Sequence, residues 1–108
     1  MKYIYDIYYL SSMFDFDGRA LQQAVFETLQ NRGTSYEKDS FDRVIALSVN
    51  KEIQTRWRQY LRRMKMPELQ LEDVMTRVDC FMRPVWEAMI KEEELLLRWN
   101  CEKTSWKH

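Results

Sequence analysis

The chain has 108 residues, 45% hydrophobic and 31% charged, enough for one hydrophobic core and too few for two domains. Seventeen basic residues balance seventeen acidic ones, so no uniform charge field marks a general nucleic-acid binder, although a local patch stays open. Two Gly and two Pro allow few sharp turns, which disfavours a barrel or sandwich and favours long helices. Cys80 and Cys101 lack metal-site spacing, and the one histidine, His108, is terminal, so no metal site is expected. No apolar run approaches the ~20 residues of a membrane span. Residues 1–6 lack the pattern of a signal peptide, which makes a reduced, cytoplasmic protein the expectation.

In chain order, residues 3–13 form an aromatic segment interrupted by Asp6. It is compatible with a strand, but no partner strand is evident, and a helix is expected. Residues 14–18 read as a connector in which Asp17 caps the next helix. There Leu21, Val25 and Leu29 recur at one-turn intervals beside Ala24 and Phe26, and Gly33 sits where a left-handed residue ends a helix. After a polar linker at 34–38, Asp39 or Ser40 caps a short helix holding Phe41, Val44, Ile45 and Leu47. Asn50 then caps a fourth helix, lined on one side by Ile53, Trp57, Tyr60, Leu61 and Met64 and ended by Pro67. The last element carries Leu71, Val74, Met75, Val78, Phe81, Met82, Val85, Trp86 and Met89, with Leu95 to Leu97 and Trp99 after a charged run. Pro84 should kink or split it. The pattern predicts one all-α domain over 1–108, an irregular bundle of about five helices.

Charge is uneven along this pattern. Lys51, Arg56, Arg58, Arg62, Arg63 and Lys65 are accompanied only by Glu52, whereas acids dominate from Glu68 to Glu94. Solvated faces and weak salt bridges between helices are the simplest use of that polarity. A phosphate-contacting patch of Arg56, Arg58, Arg62 and Arg63 is the sharper one, because guanidinium forks suit phosphate. Asp15 and Asp17 form a DxD pair, but without a Gly-rich phosphate loop they read as capping and local backbone-bonding residues. Asp6 is a carboxylate among Tyr3, Ile4, Tyr5, Ile7, Tyr8, Tyr9 and Leu10, and must be solvated, paired or hydrogen-bonded. Lys2 or the Tyr9 hydroxyl can satisfy it locally; alternatively it serves a site built largely elsewhere.

The stretch KYIYDIYYL resembles the KDFYDIYYL stretch of the AbiEii/AbiGii-type nucleotidyltransferase toxins. The likeness continues through FDFDGRALQQAVFETLQNRGT, TRWRQYLRR and FMRPVWEAM, covering nearly the whole chain in order. It implies the helical region that follows the catalytic core of such a toxin. Enzymes of this kind belong to toxin–antitoxin or phage-defence systems and use Mg²⁺ and NTPs to transfer nucleotides to RNA such as tRNA. Asp6 matches the late acid of the family's KDxxD stretch and Lys2 its lysine, while Tyr3 stands where the family has Asp. The Gly-Ser phosphate turn, the first DxD pair and the upstream lysine belong to the core and have no match here, so the resemblance implies no transfer by this chain alone and no cofactor of its own. It implies a noncatalytic module, whether relic, separate reading frame or fragment, that meets a toxin core. The alternatives are an interaction module for an antitoxin or toxin core, and an RNA-binding accessory using the basic helix. A first-helix face of Tyr5, Tyr8, Tyr9 and Phe14, left uncovered, would also allow a homodimer.

Overall fold

The computed structural model describes residues 2–33 and 37–108, the side chain of Lys2 excepted. The described residues form α1 (Lys2–Met13), β1 (Phe16–Asp17), α2 (Gly18–Asn31), α3 (Ser40–Ile45) with a 3-10 turn at Ala46–Val49, α4 (Lys51–Arg63), α5 (Leu71–Ile90), β2 (Arg98–Asn100) and β3 (Ser105–Lys107). Most of the expected polar linker lies outside the described residues.

α5 is the hub. Its buried Leu71, Val74, Met75, Val78, Phe81, Val85, Ala88 and Met89 recur every three or four residues. α1, α2 and α3 all pack on it. Phe41, Trp57 and Leu61 join its first half in one core cluster, and Leu95 joins its second half in another. The helix runs unbroken through Pro84, so it is not split. The Phe81 carbonyl, in the turn before Pro84, accepts a 3.1 Å hydrogen bond from the Trp106 indole.

The helix ends largely follow their signals. Asp17 accepts from the Ala20 amide at 3.1 Å, Asn50 from the Ile53 amide at 3.1 Å, and Gly33 takes φ 63°. Asp39 holds the N-cap position of α3 without a capping bond, and its carboxylate instead meets Arg43 at 2.8 Å. α4 closes before Pro67. Lys65 enters the left-handed region at φ 54°, while the amides of Lys65 and Met66 bond the carbonyls of Arg62 and Leu61, a Schellman turn.

The all-α expectation fails at one end of the molecule. β1, β2 and β3 form an antiparallel sheet in that order, pairing Phe16 with Trp99 and Trp99 with Trp106. Residues 95–99, expected on the last helix, therefore lie outside it. Glu92 at φ 56° reverses the chain after Lys91, with the amides of Glu92 and Glu93 bonded to Met89 and Ala88. Gln22 holds the returning segment, donating to the Glu93 carbonyl at 2.7 Å and accepting from the Leu95 amide at 2.9 Å. Trp99 then reaches full burial against Phe81, ring centroids 4.9 Å apart, with Phe16 and Trp106 completing the aromatic cluster. This burial fixes the strand, because it places Trp99 inward and Arg98 outward.

Candidate functional site on helix α1

α1 presents two chemically different surfaces. Ile4, Tyr5, Ile7 and Tyr8 pack on the first core cluster. Ser11 is wholly buried, its hydroxyl donating to the Tyr8 carbonyl at 2.7 Å and its own carbonyl accepting the Trp99 indole at 2.8 Å. Tyr5 lies against α4, its ring 6.4 Å from those of Trp57 and Tyr60. Arg77 of α5 donates to the Ser12 hydroxyl at 2.8 Å and lies over the Tyr8 ring.

The opposite surface is largely apolar and exposed, with the Arg32 guanidinium 5.0 Å over the Tyr3 ring and donating to its hydroxyl at 3.3 Å along one edge. Tyr3 is 63% exposed, Met13 55% and Phe14 51%, with Tyr9 and Leu10 also exposed. Helical spacing places these around Asp6, at i−3 for Tyr3, i+3 for Tyr9, i+4 for Leu10 and i+7 for Met13. The half-exposed Asp6 carboxylate makes no hydrogen bond or ion pair with any described side chain, the Tyr9 hydroxyl included. The side chain of Lys2 lies outside the described residues, so the Lys2–Asp6 pair does too. The face expected to be uncovered was Tyr5, Tyr8, Tyr9 and Phe14. Tyr5 and Tyr8 face the core instead, and Tyr3, Leu10 and Met13 take their place. Spacing from Asp6 was the signal that identifies them.

Arg56, Arg58, Arg62 and Arg63 are all exposed on α4, but they do not form one patch. At about 100° per residue they divide between two stripes. Arg58 and Arg62 align with Lys51 and Thr55, whereas Arg56 and Arg63 align with Glu52 and Gln59 on the edge beside Tyr60, hence beside α1. Arg56 is held by Glu52 at 2.9 Å. The α4 cations lie on solvated faces, and among the described residues no salt bridge joins α4 to the acidic α5; the polar link between these helices is Gln54 to Glu72 at 3.1 Å. The inter-helix pair that does form runs from Arg83 on α5 to Asp42 on α3, at 2.8 Å.

Of the DxD pair, Asp17 caps α2, while Asp15 bonds at long range, accepting from the Cys101 amide at 2.8 Å. That amide holds the Asp15 carboxyl below its ordinary pKa, and the Asp15 carboxylate in turn raises the Cys101 thiol. Among the described residues no three Asp, Glu, Cys or His side chains converge to hold a metal ion. Asp6 is one carboxylate, so these residues do not by themselves fit a metal–triphosphate site. No described helix is long and apolar enough to cross a membrane.

These features define a class: a helical module built on a central helix, with a carboxylate set in an open apolar face. The family model described as nucleotidyl transferase AbiEii toxin, type IV toxin–antitoxin system, matches residues 1–90. The match spans most of the chain, and the protein belongs to that family. Comparison with curated proteins and with solved structures gives no match. The matched region ends with α5, so the β2–β3 hairpin lies beyond it.

Proposed function

We propose that this chain is the helical module of a nucleotidyltransferase toxin, which packs against a catalytic core through the outer face of α1 and presents Asp6 and Lys2 to the site completed there. The observation that carries the reading is the ring of exposed Tyr3, Tyr9, Leu10 and Met13 around Asp6. An apolar surface of this kind gains free energy when covered, at about 25 cal/mol per Å² removed from water. A carboxylate at its centre is tolerated where it meets a cation or a donor on the covering surface. Mg²⁺ and the NTP are held by groups of the core in this reading, and these 108 residues alone do not transfer nucleotides. Family membership supports a toxin–antitoxin or phage-defence setting in the bacterial cytoplasm.

Incubation with labelled NTPs, Mg²⁺ and tRNA tests the reading. The chain alone is expected to transfer no label. Adding a separately produced family core that carries the Gly-Ser turn and DxD pair is expected to give transfer that Asp6→Asn abolishes. Transfer by the chain alone, or full transfer with Asp6→Asn, would overturn it. An antitoxin competing for the α1 face would appear as protection of Tyr9 and Met13 without transfer.

A further inference from the structure

We infer that the Lys51–Thr55–Arg58–Arg62 stripe of α4 is a binding ridge for the phosphodiester backbone of a nucleic acid. The spacing i, i+4, i+7, i+11 sets the four side chains in a nearly straight line along the helix, about 16 Å long at 1.5 Å per residue. All four are exposed. Lys51, Arg58 and Arg62 form no ion pair among the described residues, although carboxylates are abundant on α5. Thr55 accepts from the Arg58 guanidinium at 3.3 Å, which aligns that fork with the stripe.

Arg58 and Arg62 also rim a shallow hollow floored by Leu61 and Met66. Glu68 stands at the edge of the same hollow and opposes an anion there. Three cations in register, with an apolar floor beside them, suit a phosphate-bearing strand whose sugar or base lies in the hollow. Arg makes bidentate contacts to phosphate, so a polyphosphate chain fits this row better than scattered carboxylates do. The parallel stripe is weaker, since Glu52 occupies Arg56.

This inference goes beyond the α1 reading and does not depend on it. Tyr5 contacts α4 at Tyr60, whereas the ridge lies on the other edge of the helix, so covering α1 leaves the ridge open. The assay is fluorescence anisotropy of the full chain with fluorescein-labelled 20-nucleotide RNA and DNA of mixed sequence, over a salt series. Binding should weaken as salt rises. Arg58→Gln with Arg62→Gln should lower affinity at least tenfold and reduce the log–log salt slope by about two. Arg56→Gln with Arg63→Gln should change affinity less than threefold, and Glu68→Gln should tighten it two- to threefold. No binding by the wild-type chain at 50 mM salt, or equal losses from the two double variants, would overturn the assignment. So would a poly-glutamate peptide that displaces the labelled strand as well as unlabelled RNA does, since that would make the ridge a site for acidic protein surfaces.

Discussion

Gly18 sits at the first position of α2 with its amide bonded to the Leu97 carbonyl at 2.8 Å. A Cβ there would stand 2.6 Å from the carbonyl oxygens of both Leu95 and Leu97, and neither can move without disturbing the sheet. Gly18→Ala should therefore cost about 1–3 kcal/mol, the usual penalty of overpacking, seen as a lower urea midpoint at unchanged slope. Lys65 offers the opposite case. It holds φ 54° in an open Schellman turn, a conformation costly for a residue with a Cβ. Lys65→Gly should stabilise the chain by about 0.5–1 kcal/mol, the relief exceeding the added entropy of the unfolded chain. Asp15 links residue chemistry to pH. Its folded pKa is depressed by the Cys101 amide, so the stability it contributes is present above the unfolded value and is lost as pH falls through the folded one. Asp15→Asn should accordingly flatten the acid limb of stability below about pH 4 in a pH series of urea melts.

At the scale of elements, the tryptophans act as staples. Each of the four donates its indole N–H to a backbone carbonyl: Trp57 to Leu69, Trp86 to Glu37, Trp99 to Ser11 and Trp106 to Phe81. The Trp99 bond joins the sheet to the last turn of α1, where helix geometry leaves carbonyls without donors. Trp99→Phe keeps an aromatic ring but orphans the Ser11 carbonyl, and should cost about 1–3 kcal/mol in urea denaturation. Trp99→Ala removes the ring as well, and should cost about 3–5 kcal/mol. Because Ser11 lies on the inner side of α1, loosening this staple should also disturb the outer face that carries Asp6.

At the scale of the whole molecule, the outer face of α1 is an apolar surface that gains free energy when covered. Five large apolar side chains stay exposed on α1 and at its end, Tyr3, Tyr9, Leu10, Met13 and Phe14. In the absence of a core, this face should pair two copies of the chain weakly. Sedimentation should show the apparent mass rising with concentration, and Met13→Glu should suppress the rise; a monomer throughout the range would count against the pairing. The α4 ridge should be unaffected by that variant, since it occupies a different side of the molecule.

The sequence alone determined much of the helical frame. The caps at Asp17 and Asn50, the left-handed Gly33 and the stripe of α5 were all legible, because each rests on contacts within a few residues. The aromatic first segment fitted a strand as well and was read as a helix only for want of a partner strand. The strands were not. Phe16–Asp17 is two residues long and reads as a connector until Trp99 pairs with it. The hairpin had one local sign, Trp99 and Trp106 on either side of a turn where Asn100 accepts from the Lys103 amide at 3.0 Å, but the preceding apolar residues also fit a continued helix. Only the burial of Trp99 beneath α1 and α5 decided between them. The candidate site divides in the same way. Asp6 and the arginines were visible as residue types in a pattern, and helical spacing accounts for their neighbours. The sorting of the four arginines into two stripes follows from helical spacing as well. Which face of α1 is open followed from where α1 packs, a long-range outcome that local pattern does not encode.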